Sequence, residues 1–424
     1  MIGEILCVGT ELLLGDIVNT NAAFLSRQLA QLGIGVYHQT VVGDNPARLK
    51  QAVEEALGRS DLVILTGGLG PTYDDITKEV TAAALGLPLV WNETAYERMQ
   101  SYFARTGRVL TENNKKQAMA PEGSVVFQND NGTAPGFAVE RDGKTAILLP
   151  GPPSEMEPMF LRQVRPFLEG KTGLTFLSRT VHLFGIGESA AESILRDVME
   201  AAQNPTVAPY AKTGEVQIRV TAAAENAEEA QKLLAPTVEK VCAMMDGYVY
   251  GVDVDSLQKA AISALKQAGL TAATAESLTG GGVSRRLTEV SGASAVFLGG
   301  VCSYTDEVKR RLLGVKEETL KAFGAVSAET ALEMARGIRE RTGADIGVST
   351  TGVAGPDPSE GKPVGTVFVA VSCGWFEQVL PLQLARGTGN ERERVRILSE
   401  NHAIHSILQA VWKKEEGEKH AKDI

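Results

Sequence analysis

The run Asp61-Leu-Val-Ile-Leu-Thr66 is apolar at every position between its two ends and breaks directly into Gly67-Gly-Leu-Gly-Pro-Thr-Tyr-Asp-Asp75. A strand without polar alternation has both faces covered, which places it inside a parallel sheet flanked by helices. A helix is expected from Ile76. The same succession of strand, glycine- or proline-rich loop and helix is expected twice more, at residues 2–8 followed by Gly9–Asp16 and at residues 145–149 followed by Pro150-Gly-Pro-Pro153. Further strands are expected at Val36–Val42, 124–128 and 136–140, and a helix over Pro46–Leu57, with proline at a tolerated first-turn position. Strands alternating with helices predict a parallel α/β sheet, and such sheets bind ligands beyond the carboxyl ends of their strands. The three loops 9–16, 66–75 and 150–153 all fall at such ends.

Residues 171–252 change character. Thr175–Leu183 and Val216–Thr221 alternate as half-buried strands, with Val216, Ile218 and Val220 on one face, and helices fit 187–201 and 226–245. This pattern predicts a small α+β layer, ferredoxin-like or KH-like, serving as a spacer or a dimerisation module. From Asp255 a second α/β unit begins, with a helix over 256–268. A short strand then ends in Ala275-Glu-Ser-Leu-Thr-Gly-Gly-Gly282, and a helix follows from Val283. A strand over Ala295–Ser303 delivers Tyr304-Thr-Asp-Glu-Val-Lys309, Val326-Ser327 opens a helix to about residue 341, and a strand over Ala344–Thr350 leads into Thr351-Gly-Val-Ala-Gly-Pro356. Val367–Cys373 and Phe376–Leu384 read as a hairpin, and Arg392 opens a terminal helix to Trp412. The fold class is thus α/β, with two three-layer α/β domains joined by a small α+β domain. The ranges are 1–170, 171–252 and 253–413, with a charged, frayed tail over 414–424.

At 424 residues more than one core is required. The formal charge of −10 argues against nucleic acid and against an anionic membrane surface, and the acidic Glu225, Glu228 and Glu229 disfavour RNA binding by the middle domain. Four widely separated cysteines fit a reducing compartment. No basic run precedes the first apolar residues, and no segment has the length to span a bilayer. The expectation is a cytoplasmic protein.

Ser277 stands where a strand gives way to a helix, beside three glycines that admit a ligand to the backbone. Unpaired N–H groups at that helix start would stabilise a developing oxyanion, and a hydroxyl beside them is a candidate nucleophile. The alternative is that Ser277 and Thr279 cap the helix. No histidine neighbours Ser277, and His402 and His405 read as helix-surface residues. Lys309 is the candidate base, because a desolvated lysine loses its proton near neutrality and Ser–Lys pairs are a known variant of triad chemistry; otherwise it is a solvated helix residue. Tyr304 would orient the lysine or is an ordinary strand-end aromatic. Thr350, Thr351 and Gly352, from a third strand end, are candidates for the same pocket. Arg392 and Arg396 share a helix face, able to hold a phosphate or simply solvated. In the N-terminal half, Gly67, Gly68 and Gly70 suit a phosphate. Asp74, Asp75 and Glu11 offer hard oxygen ligands to Mg²⁺ or a similar divalent ion, unless one of the aspartates only caps the next helix.

The stretches GTELLLGDIVNTN, TGGLGPTYDD, LPGPPSEM, AESLTGG, YTDEVK, GAVS and TGVAGPDPSEGKPVGTV occur in this order and spacing. On them the chain resembles the CinA (competence/damage-inducible protein A) family over essentially its whole length. The resemblance implies an N-terminal domain of molybdopterin-binding fold acting as a metal-dependent ADP-ribose pyrophosphatase and a KH-like linker. It also implies a C-terminal nicotinamide mononucleotide deamidase that releases ammonia and needs no cofactor. Both substrates are fragments of NAD, which implies pyridine-nucleotide salvage. The family's serine, tyrosine and lysine fall on Ser277, Tyr304 and Lys309, and Thr305-Asp306 stands where the family has Ser-Asn. Gly9-Thr10-Glu11 stands for the family's Gly-Asp-Glu, and Gly389-Asn390-Glu391 is one residue longer than the family's approach to its last helix. The candidate substrate contacts are Glu276, Thr279, Gly280, Gly281, Thr351, Gly352, Gly355, Arg392 and Arg396 in the C-terminal half. In the N-terminal half they are Thr10, Gly67, Gly68, Gly70, Pro150, Gly151 and Pro152. The expected partners are the two small nucleotides and a second copy of the chain. Two other readings remain: an N-terminal half that binds a pterin or nucleotide without turnover, and a partner-binding role in DNA uptake.

Overall fold

The computed structural model describes residues 1–387 and 391–422, so Gly389, Asn390 and the last two residues of the tail lie outside it. The chain forms two compact units, Met1–Ser178 with Thr221–Leu234, and Arg179–Val220 with Ala235–Ile424.

The N-terminal sheet contains β1 (Ile2–Val8), β2 (Gly35–Val42) and β3 (Leu62–Thr66), and β4 (Leu89–Trp91) pairs separately with β5 (Met119–Pro121). The sheet is completed by β6 (Val125–Phe127), β7 (Gly136–Arg141) and β8 (Lys144–Leu149), in the order β2-β1-β3-β8-β7-β6. Along β1, Ile5 and Cys7 pack into one core with Leu25, Leu29 and Phe160, while Leu6 and Val8 pack into another with Leu49, Val53 and Leu57. Two cores on opposite faces make the three layers, and both come from the period-two alternation of one strand. The expected all-parallel sheet is corrected at its edge. β1, β2, β3 and β8 are parallel, but β7 runs antiparallel to β8 because only Asp142-Gly143 separates them, too short for a crossover.

The middle sheet has the order β10-β11-β9-β12, from β9 (Thr175–Phe184), β10 (Thr206–Lys212), β11 (Glu215–Ala224) and β12 (Val249–Val252), with helices Glu188–Ala201 and Ala227–Met244. The expected order of strand, helix, two strands and helix holds, with β10 as the strand that had no range of its own; β12 was not among the expected strands.

In the C-terminal sheet, β13 (Ala272–Glu276) lies between β14 (Phe297–Cys302) and β15 (Ile346–Gly352), and both pair with it in parallel. β16 (Thr366–Cys373) and β17 (Glu377–Gln383) add as the expected hairpin, antiparallel to β15, so this sheet too is mixed. Ala272 faces one core and Ala273 and Ala275 the other. The terminal helix runs Glu391–Lys422, so the tail continues as helix where fraying was expected. No helix among the described residues is long and apolar enough to cross a membrane.

Candidate active sites

Two parallel pairings set the carboxyl ends of β13, β14 and β15 side by side. Ser277 leaves the end of β13, and its N–H is bound by the Thr350 carbonyl of β15 at 2.9 Å. Past β14, the Thr305 hydroxyl caps helix Asp306–Leu313, which carries Lys309 on its buried side. Lys309 Nζ lies 3.3 Å from Ser277 Oγ and donates to the Ser303 carbonyl at 3.0 Å. Lys309 is 1% exposed and Ser277 9% exposed. Burial holds the lysine pKa below the usual range, against the opposing influence of Asp306 and Glu360. A nearly water-free amine has no hydration shell to support its charge, so the neutral form is favoured.

The pair opens on a cavity of about 260 Å³. Leu278, Tyr304, Thr351, Gly352, Gly355 and Arg392 line it, together with three carboxylates absent from the expected set, Asp306, Asp357 and Glu360. Arg392 donates to the Gly355 carbonyl at 2.5 Å and to the Tyr304 hydroxyl at 3.4 Å. Tyr304 is 62% exposed and sits at the rim; its hydroxyl meets Arg392 and not Lys309, so it does not orient the lysine in this structure. The acid residues lie in quoted motifs, and their signal was the position of those motifs after strand ends.

Five expected contacts are corrected. Glu276 is 1% exposed and takes no part in the cavity wall. Its carboxylate accepts from the N–H and hydroxyl of Ser284, the N–H of Val283 and the hydroxyl of Thr279, all at 2.7–3.0 Å. Glu276 therefore caps helix Gly282–Thr288 from behind, and neither Ser277 nor Thr279 does so. Thr279 is fully buried and bonded to Glu276 and Thr350. Gly280 and Gly281 do not line the cavity, and the Gly280 N–H is spent on the Ser277 carbonyl. Among the described residues the N–H groups of Leu278 and Thr279 have no partner, which moves the candidate oxyanion donors toward the serine. Arg396 holds the Thr279 carbonyl at 3.0 Å and lies outside the cavity. His402 and His405 are not surface residues: both pack on Phe184, and burial pushes each down to about 4. Glu276→Ala strands four donors in the interior, so we expect a loss of about 3 kcal/mol of stability, read as a lowered midpoint in urea unfolding.

In the N-terminal unit, a cleft of about 400 Å³ lies at the ends of β1, β3 and β8. Glu11, Gly67, Gly68, Gly70, Asp74, Asp75 and Pro150–Pro152 line it. Gly67 has φ +103°, and a Cβ there would lie 2.1 Å from the Val8 carbonyl, so only glycine lets β3 turn against β1. Thr10 is corrected: it stands beside the cleft, with its N–H and hydroxyl on Asp44 at 2.9 and 2.8 Å. Neither aspartate caps helix Thr77–Ala84, whose cap residue is Ile76. Asp75 instead accepts from the Thr72 N–H at 2.9 Å and its hydroxyl at 2.5 Å, and Lys116 braces the carbonyls of Thr72 and Asp75. Asp44 and Glu155 also face the cleft and were missed, although each follows a strand end; burial raises the Glu155 pKa. Among the described residues no three histidine, cysteine or acidic side chains gather into a metal cage. Mg²⁺ commonly uses one or two carboxylates and completes its shell with water and substrate phosphate, and the donor set here fits only that form.

Residues 254–411 match the family profile described as "CinA C-terminal domain", residues 4–170 the one described as "Probable molybdopterin binding domain", and residues 178–251 the "Damage-inducible protein CinA KH domain". A competence-damage inducible protein of Bacillus pumilus is 51% identical over 407 residues, 96% of this chain and 97% of the relative. Its counterpart in Bacillus anthracis is 50% identical over 396 residues, 93% of this chain and 96% of the relative. The crystal structure of CinA from Thermoplasma acidophilum is 37% identical and covers 40% of this chain and 99% of its own, at a TM-score of 0.37. With such identity sustained through all three segments, the chain belongs to the CinA family of competence/damage-inducible proteins.

Proposed function

We propose that the C-terminal domain is an amidohydrolase that converts nicotinamide mononucleotide to nicotinic acid mononucleotide and ammonia. The observation that carries this reading is the Ser277–Lys309 pair, 3.3 Å apart at the base of a polar cavity. Neutral Lys309 accepts the Ser277 proton as Oγ bonds to the carboxamide carbon, and the Leu278 and Thr279 N–H groups stabilise the oxyanion. The C–N bond breaks as Lys309 returns the proton to the leaving nitrogen. Water then attacks the acyl-enzyme as its proton passes to Lys309, and the C–Oγ bond breaks as Lys309 hands that proton to Ser277 Oγ, which releases the acid and restores the hydroxyl and the neutral amine. The rim supports a zwitterionic substrate, since Asp306, Asp357 and Glu360 suit a pyridinium ring and Arg392 suits a phosphate.

The N-terminal cleft favours a second activity, hydrolysis of ADP-ribose. Here Gly67, Gly68 and Gly70 bring backbone against a pyrophosphate, and Asp74, Asp75 or Glu11 would hold the divalent ion. That ion, when bound, would polarise the phosphates. A substrate panel with and without EDTA tests both activities. Ammonia release from nicotinamide mononucleotide is expected to persist in EDTA, and AMP release from ADP-ribose to stop. Binding of ADP-ribose without AMP release at any metal concentration would make the cleft a binding module, and chelator-sensitive ammonia release would contradict the Ser–Lys assignment.

A further inference from the structure

A second cavity in the C-terminal unit, of about 1190 Å³, shares no lining residue with the Ser277 pocket. Lys212, Arg386 and Arg394 line it, and none of the three forms an ion pair among the described residues. Arg394 Nε is buried there without a hydrogen-bond partner, although a guanidinium N–H rarely stays unpaired in the interior. Around the same cavity, Phe184-Gly-Ile-Gly187 turns into helix Glu188–Ala201, which has no side-chain cap, so its first N–H groups add to the positive field. Ile186, Val216, Leu384 and Leu398 add apolar lining, with His402 held neutral by burial. Two acids complete it: Glu188, and Glu215, which accepts from the Tyr250 hydroxyl. Apolar side chains, a carboxylate able to accept from a diol and a set of unpaired cations suit the base, ribose and phosphate of one nucleotide. In a chain of formal charge −10 such a cluster of unpaired cations is a local exception.

The wall of this cavity is also the brace of the catalytic loop. Helix Glu391–Lys422 presents Arg394, Leu398 and His402 to the cavity, while on its other sides Arg392 lines the Ser277 pocket and Arg396 grips the Thr279 carbonyl. One turn further, Asn401 donates to the Thr213 carbonyl at 2.9 Å and accepts from Arg286 of the helix behind Ser277 at 2.6 Å. The β10–β11 turn is pressed close to the helix: a Cβ on Gly214, at φ +81°, would lie 2.6 Å from Leu398.

We propose that this cavity binds a nucleoside monophosphate and, through the terminal helix, sets the position of the loop carrying Ser277. The second clause rests on the deamidase reading; the first does not. The test titrates full-length protein with AMP, and with adenosine as the control lacking phosphate, following hydrogen–deuterium exchange by segment and deamidation in parallel. AMP is expected to protect residues 184–190 and 211–216, and adenosine to protect neither. Arg394→Gln and Lys212→Gln should each weaken that protection about 10-fold or more. AMP should shift the KM or kcat for nicotinamide mononucleotide in the parent and leave the Arg394→Gln variant unmoved. Protection confined to the N-terminal loops, or equal AMP affinity in the parent and both variants, overturns the site. Protection without any kinetic shift overturns the coupling alone. If the parent releases no ammonia, the deamidase reading falls while the exchange data still decide whether the site exists.

Discussion

We expect Ser277→Ala to lower ammonia release from nicotinamide mononucleotide by about 10⁴-fold or more, and to leave the fold and any AMP release from ADP-ribose unchanged. The magnitude follows from removing a nucleophile whose contribution is almost entirely in the transition state, as in other hydrolases where the serine and its base act as one unit. The fold is preserved because the Ser277 N–H bond to Thr350 is made by the backbone and survives the change. The lost hydroxyl also leaves the Lys309 amine its second bond, to the Ser303 carbonyl. The check is a pair of assays on one preparation, ammonia from nicotinamide mononucleotide and AMP from ADP-ribose, with circular dichroism to confirm folding. Equal loss of both activities would mean that the two sites are not independent, and retention of ammonia release would remove Ser277 from the chemistry.

Lys309→Met separates the catalytic role of the amine from its structural one. Deamidation is expected to fall by about 10³-fold or more, while stability stays level or rises by about 1 kcal/mol, because a buried amine is exchanged for an apolar chain of similar volume. The sign of the pH dependence supplies a second reading. The folded-state pKa of Lys309 is lowered, so between that value and the unfolded one near 10.4 the unfolded chain binds the extra proton. The penalty of burying this lysine is therefore fully present below the folded pKa and relieved as pH rises through the window. Activity follows the same limb, since only the neutral amine accepts the serine proton. The parent should lose kcat/KM as pH falls through the folded pKa of Lys309, and the methionine variant should lack that limb. A pH profile unchanged by the substitution would assign the base elsewhere.

Much of this architecture was legible because it depends on local chemistry. Apolar runs ending in glycine or proline mark strand ends, and the pairings that bring Ser277, Lys309 and Thr351 to one edge follow from short parallel strands joined by helices. Less legible was anything decided by what lies across the fold. A carboxylate after a strand looks alike in sequence whether it meets a ligand or a helix N-terminus. Glu276 meets the helix, and nothing within seven residues of it announces four internal donors. Arg392 and Arg396 are one turn apart, yet one reaches the cavity and the other a loop carbonyl, a difference of rotation that helical spacing alone cannot resolve. Strand direction failed at β7, where the two-residue connection Asp142-Gly143 carried the information but the alternation of elements suggested a crossover. His402 and His405 were misread because polar residues on a terminal helix usually face water, whereas these two stack on Phe184.

The lowered pKa of the amine beside Ser277 has a consequence for inhibition. A trigonal boronic acid carried on an N-alkylpyridinium ring would meet a hydroxyl with the Lys309 amine 3.3 Å away. It could close to a tetrahedral adduct without an external base, while the carboxylates at the mouth of the cavity would select its cationic ring over neutral analogues.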